Sequence, residues 1–148
     1  MMKPERVTDA TANEWVVLRH ELWPEHATDE LREQAGELLG RESAVAFLLR
    51  DERGAPIAMA EATLRHDYVN GCSTSPVAFL EGIYVRQAFR RQGAARQLCR
   101  AVEAWAKEHG CREFASDAQI DNEVSHRMHQ ALGFEERERV VYYCRPID

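Results

Sequence analysis

The segment Arg90-Arg91-Gln92-Gly93-Ala94-Ala95 stands between a strand-like run and the longest helical stripe of the chain. A glycine there lets backbone approach an anion, and the first-turn N–H groups of the helix offer donors at its positive dipole end. A pyrophosphate would fit, although two solvated arginines before a helix have the same sequence signature. Upstream, Glu81 shares its parity with Val77, Phe79, Ile83 and Val85, and a carboxylate on an apolar strand face is expensive unless something compensates it. Gly82 inside that strand is what a β-bulge or a tight packing contact would look like, and a bulge would alter the parity. Asp117 ends a later strand and could cap a turn, while Glu138 within Glu135-Glu136-Arg137-Glu138-Arg139 reads as a solvated charge. His126 and His129, three apart, lack a Cys or carboxylate cluster to complete a metal site, so no metal is expected. His129 alone could protonate a leaving group near neutral pH or be a structurally bonded histidine. Trp23 before Pro24 reads as core, and Tyr68 lies in a polar loop where either role is open.

These groups must be positioned by elements that the periodicity predicts. Trp15, Leu18 and Leu22 recur at helical spacing from Thr11 to Trp23, behind a Thr that can cap and before a Pro that ends the helix. Thr28 to Leu39 is a second helix, opened by Thr28-Asp29-Glu30 and closed by Gly40. Ala44 to Leu49 and Ile57 to Leu64 form a hairpin across a Gly- and Pro-bearing turn. Asp67 to Pro76 is a polar loop, and Val77 to Arg86 a strand. An apolar stripe from Ala94 through Leu98, Val102 and Trp105 makes a long helix that stops at Gly110. Glu113 to Asp117 is then a strand, Asn122 to Leu132 a helix, and Val140 to Cys144 a strand. Strand, helix, strand in the second half implies a crossover that sets the Val77 and Glu113 strands side by side and parallel. The expected class is therefore α/β (α+β), a mixed and mostly antiparallel sheet with a parallel pair, flanked by helices.

The chain has 148 residues, enough for a single domain over 1–148, and no Gly-, Pro- or Ser-rich stretch divides it. Its formal net charge of -6 and scattered basic residues argue against a nucleic-acid footprint and suit a cationic small molecule. Cys72, Cys99, Cys111 and Cys144 form no C-x-x-C pair, which suggests free thiols in a reducing compartment. Neither a leader-like apolar run nor a bilayer-length segment is present, so a cytoplasmic location without membrane contact is expected.

Arg90-x-x-Gly93-x-Ala95 resembles the pyrophosphate loop of the GCN5-related N-acetyltransferases, and the likeness extends over nearly the whole chain. That resemblance implies acetyl-CoA as co-substrate, gripped by Arg90, Arg91, Gln92, Gly93, Ala94 and Ala95. It implies further that the backbone of Ile83, Tyr84 and Val85 meets the pantetheine arm and the acetyl carbonyl, and that Asn122 contacts the cofactor. Many relatives carry a Tyr five residues before the Phe of the Gly133-Phe134 pair, where this chain has His129.

Within the superfamily, the blocks Leu22-Trp23-Pro24, Arg65-His66-Asp67-Tyr68-Val69-Asn70-Gly71-Cys72, Phe79-Leu80-Glu81-Gly82-Ile83, Ala115-Ser116-Asp117 and His129-Gln130-Ala131-Leu132-Gly133-Phe134 resemble the aminoglycoside 6'-N-acetyltransferases. This closer likeness implies a drug site lined by Trp23, Tyr68, Glu81 and Asp117, with His26 and Glu138 alongside, and a homodimer. Direct transfer is the implied mechanism, with a backbone N–H on the acetyl oxygen, Glu81 or Asp117 taking the ammonium proton, and His129 available to the thiolate. The rival readings are an acetyltransferase of a polyamine or a protein N-terminus, and a silent acyl-CoA-binding module.

Overall fold

The computed structural model describes residues 3–148; Met1 and Met2 of the amino-terminal segment lie outside that range. In chain order the elements are β1 (Glu5–Arg6), α1 (Ala12–Leu22), α2 (Thr28–Leu39), β2 (Ala44–Arg50), β3 (Pro56–Arg65), β4 (Val77–Val85), α3 (Ala94–Glu108), β5 (Phe114–Ala115) and α4 (Glu123–Ala131). The sheet runs in that strand order, antiparallel from β1 to β4 and parallel between β4 and β5. No helix among the described residues is long and apolar enough to cross a membrane.

Side-chain alternation divides the core into two layers. On one face Ala58, Ala60 and Ala62 of β3 lie against Leu98, Val102 and Trp105 of α3, the small residues leaving room for the helix to sit close. On the other, Ala46, Leu48 and Met59 pack against Trp15, Val16 and Leu18 of α1 and Ala35 of α2. A smaller cluster of Val69, Val77 and Phe79 pins the loop after β3 to the sheet.

Four expectations require correction. The bulge is real, but its unpaired residue is Glu81: Ala62 pairs with Leu80 and Glu61 with Gly82, so nothing on β3 faces Glu81. The extra residue reverses the alternation. Ala78 and Leu80 face α3 before it and Ile83 and Val85 after it, so Glu81 does not share one continuous face with Val77, Phe79, Ile83 and Val85. Thr11 precedes α1 without capping it, because its hydroxyl turns back to the Thr8 backbone. The strand expected from Glu113 to Asp117 pairs only over Phe114–Ala115. Val140 to Cys144 forms no strand within this chain; Tyr142 and Tyr143 are 83% and 90% exposed, and β5 is left at the edge of the sheet. Two short elements were missed in the sequence, β1 and a 3-10 turn over Gln87–Phe89, both too brief to have a period of their own.

Candidate active site

Parallel pairing between β4 and β5 stops at Phe79 and Ala115, and beyond it the rest of β4 has no neighbour on that side. The N–H of Arg86 bonds the Ile57 carbonyl on β3. Because backbone groups alternate sides along a strand, the N–H groups of Ile83 and Val85 point to the open edge. Arg90 confirms the direction by donating from Nε to the Val85 carbonyl at 2.8 Å. This edge leads to the loop before α3, where Arg91 and Gly93 take left-handed backbone conformations, φ 63° and 83°. No side chain caps α3, and a Cβ at Gly93 would meet no atom within 4 Å. Uncapped first-turn donors beside open space form an anion cradle, so the residues present fit a diphosphate. Asn122 caps α4, its Oδ1 accepting from the Ser125 N–H at 3.1 Å.

A second concavity of about 490 Å³ opens on the α1–α2 face, over β3 and the bulge, with Trp23, Arg65, Thr63 and Glu81 among its walls. Its floor is the row Glu61, Thr63 and Arg65, which alternation along β3 places on one side. Glu61 is buried, and its cost is offset by Arg19, whose Nε and Nη2 donate to the two carboxylate oxygens at 2.9 and 3.0 Å. Trp15 Nε1 adds a third donor at 3.0 Å, and Arg19 Nη1 reaches the Leu31 carbonyl at 2.7 Å, tying α1 and α2 to the sheet. The guanidinium also lies over the rings of Trp15 and Trp23, 5.4 and 5.1 Å from their centroids. Trp23 is thereby held over Gly82.

Glu81 is compensated too. Thr63 Oγ1 donates to it at 2.6 Å, and Arg65 Nη2 bonds its two oxygens at 3.1 and 3.0 Å. Sequence reasoning singled out neither Thr63 nor Arg65 as a partner, nor Arg19 and Glu61. A Glu at position 61 inside an otherwise apolar run was a signal that some cation must be near.

The remaining expected residues divide into three groups. Tyr68 and Glu138 meet, with the phenol donating at 3.3 Å, although 70 residues separate them. The loop that carries Tyr68 is fixed at its far end by Glu113, which accepts from the backbone of Ser73 and Thr74 at 2.9 and 2.8 Å and from the Thr74 hydroxyl. Those bonds hold the Glu113 carboxyl below its usual range. His26 is exposed beside Glu30 at the α1–α2 turn, its Nδ1 3.3 Å from the carboxylate. Asp117 is exposed just past β5. His126 and His129 turn to different partners, Ile120 for the former and Ser116 and Ser125 for the latter. His129 Nδ1 lies 2.7 Å from the Ser125 carbonyl, which only accepts, so that nitrogen carries the proton. Its Nε2, 2.7 Å from Ser116 Oγ, accepts in the neutral ring. Phe134 packs edge-on against the ring at 5.3 Å.

Thiols at Cys72, Cys99 and Cys111 are all pushed up by burial, Cys99 to about 11, which is the reverse of what a nucleophilic cysteine needs.

The model of the Acetyltransferase (GNAT) family matches residues 8–134. Aminoglycoside N(6')-acetyltransferase type 1 of Acinetobacter genomosp. 13 is 51% identical over 141 residues, 95% of this chain and 96% of that protein. The apo crystal structure of aminoglycoside 6'-N-acetyltransferase AAC(6')-IG from Acinetobacter haemolyticus superposes with a TM-score of 0.95 at 45% identity, covering 99% of this chain and 100% of that one. That of AAC(6')-Iy in complex with the bisubstrate analogue CoA-S-monomethyl-acetylneamine gives 0.94 at 43% identity, with 99% of each chain covered. An open β4 edge leading to an uncapped helix start, in a chain matched by the family model over most of its length, has one reading: the protein belongs to the GNAT family of acetyltransferases.

Proposed function

We propose that this protein transfers the acetyl group of acetyl-CoA to the 6'-amino group of aminoglycosides, and so confers resistance to them. The observation that carries the reading is the likeness to aminoglycoside N(6')-acetyltransferases over nearly the whole length of the chain, at 51% identity to one and 43% to another. Acetyl-CoA supplies an activated thioester. The loop from Arg90 to Ala95 holds its diphosphate, with Asn122 beside it, and Ile83, Tyr84 and Val85 line its arm along the open edge of β4. A backbone N–H of that edge faces the acetyl oxygen, where negative charge develops during attack.

The acceptor lies against Trp23 and Glu81, with Tyr68, Glu138, Asp117 and His26 as further contacts. Glu81 orients the reacting amine; Asp117, the more exposed carboxylate, receives its proton through solvent. No cysteine is among the residues that line the acceptor concavity, which favours direct transfer over a cysteine-bound intermediate. The protein acts in the cytoplasm, consistent with its four free cysteines. It does so as a homodimer in which Val140 to Cys144 of one copy covers the open edge of β5 in the other.

A coupled assay for released coenzyme A, run with a kanamycin-type drug, a polyamine and a peptide N-terminus, tests the activity. NMR of the product locates the acetyl group. Turnover confined to the drug and acetyl on the 6'-nitrogen are expected; turnover with the polyamine or peptide alone would overturn the proposal. Light scattering in solution tests the dimer, and deletion of residues 140–148 should yield monomer.

A further inference from the structure

The carboxylate assigned to the acceptor amine already holds a cation. Arg65 bonds both oxygens of Glu81, Thr63 bonds one, and a carboxylate has about four lone-pair sites, so little capacity is left for a third donor. The guanidinium is held by more than charge, since its central carbon lies 3.5 Å from the centroid of the Phe79 ring. Glu61 is the other carboxylate lining this cavity, and it is taken up by Arg19 and Trp15. An ammonium entering here meets no free anion and finds a like charge beside the one carboxylate it can reach.

The two partners differ in freedom. Glu81 is rooted in the bulge, with Thr63 behind it. Arg65 is the last residue of β3, and its side chain is 43% exposed against 29% for Glu81, so it has solvent to turn into.

We propose that Arg65 is a specificity-determining residue of the acceptor site: a resident guanidinium on Glu81 that the incoming ammonium must displace. The proposal rests on the reading of Glu81 as an acceptor-binding group. A singly charged amine gains little from this exchange, because it puts one ammonium where a guanidinium stacked on Phe79 already spans both carboxylate oxygens through Nη2. An acceptor with several ammonium groups has others to place on the further contacts proposed above, Asp117 and the Tyr68–Glu138 pair, and those contacts offset the displacement. The ion pair thus filters acceptors by charge number.

The test compares kcat/KM for a tetra-ammonium aminoglycoside and a singly charged amino sugar, at saturating acetyl-CoA, in the wild type, Arg65→Gln and Arg65→Lys. Thermal unfolding checks that each variant is folded. Arg65→Gln should raise kcat/KM for the singly charged amine roughly fivefold, the size expected of a half-exposed ion pair. The rise should come through KM, with less change for the polycation, so that the ratio between the two narrows. Arg65→Lys, which keeps the charge without the planar group stacked on Phe79, should fall between the wild type and Arg65→Gln, and Glu81→Gln should abolish the gain. An unchanged ratio, or equal loss with both acceptors in a folded Arg65→Gln protein, would overturn the proposal, since Arg65 would then merely hold Glu81 in place. Release of no thiol by the wild type with either amine would count against the activity itself. Calorimetric titration of the same two amines then decides the role of Arg65: tighter binding of the singly charged amine by Arg65→Gln supports it, and equal affinity sinks it.

Discussion

The Cη2 atom of Trp23 lies 2.7 Å from the point that a Cβ on Gly82 would occupy, and Cζ2 lies 3.0 Å from it. The indole crosses the strand where only a glycine leaves room, one residue beyond the bulge that frees Glu81 from the ladder. Trp23 is not free to move aside, because the Arg19 guanidinium, fixed by Glu61, lies over its ring 5.1 Å from the centroid. Gly82→Ala should therefore displace the ring and cost about 1–3 kcal/mol of stability, the usual range for overpacking. Acceptor KM should rise at least several-fold while the dissociation constant for coenzyme A changes little. Equal acceptor KM in the folded variant would remove Trp23 from the acceptor wall.

Beneath that wall, Arg19 and Glu61 are both nearly inaccessible to solvent, 4% and 3% exposed. Breaking such a pair leaves one buried charge without a partner, so Glu61→Ala should destabilise by about 3–5 kcal/mol. Replacing both partners by apolar residues, as in Arg19→Met with Glu61→Leu, should recover much of that loss in denaturant unfolding. Acceptor binding should stay impaired, because Trp23 loses its stacking partner. A double variant less stable than Glu61→Ala would contradict this account.

Residues that act through their immediate neighbours in sequence were legible before the structure. The anion cradle announces itself because a glycine must precede the α3 stripe, and α2, β2, β3 and α3 follow from periodicity. Contacts between distant segments were not legible. Phase along β4 could not be followed past Gly82: the glycine marked a possible bulge, but which residue is unpaired, and hence which side chains reverse, is set by pairing with β3. The partners of Glu81 stand 16 and 18 residues away on a strand whose register is set by tertiary pairing. Val140 to Cys144 has the β-branched and aromatic residues of a strand, but a strand needs a neighbour, and none pairs with it among the described residues.

At the end of α1, Glu21 accepts from Arg86 Nε and Nη2 at 3.0 and 2.6 Å and from the Tyr84 hydroxyl at 3.1 Å. Its carboxyl is held below the ordinary value of 4.5, chiefly by the Arg86 bonds, and Glu14 is lowered likewise by Arg50. Depressed folded values mean that the unfolded state binds more protons as acid is added. The contribution is fully present above about pH 4.5 and is lost as pH falls through the lower folded values. Urea midpoints should drop below that pH, and Glu21→Gln should flatten the decline without abolishing it. A wild-type midpoint independent of pH between about 5 and 3 would rule these pairs out as the acid-sensitive elements.

Gly93 has open space around its missing side chain and a φ of 83° that branched residues seldom adopt. Gly93→Val should accordingly cost about 1–3 kcal/mol through backbone strain. Its larger effect should fall on the ligand, with KM for acetyl-CoA raised far more than KM for the drug. Unaltered affinity for acetyl-CoA in the folded variant would refute the assignment of the cradle.

His129 occupies the place where many relatives carry a tyrosine, yet its ring is bonded on both sides within the fold, to the Ser125 carbonyl and to Ser116. To protonate a thiolate it would have to release Ser116, and the ring is braced by Phe134 against turning. We therefore assign it to anchoring α4 on the end of β5. His129→Ala should lower the melting temperature by roughly 2–8 °C, corresponding to about 1 kcal/mol. Single-turnover acetyl transfer should keep its rate and its pH dependence, and His129→Gln, able to donate to one partner and accept from the other, should restore part of the stability. A proton donor would behave otherwise: its removal slows the chemical step by about 10²–10⁴-fold while both ligands still bind. If His129→Ala shows that loss and the pH profile loses its alkaline limb, the ring is the general acid and the anchoring role is secondary.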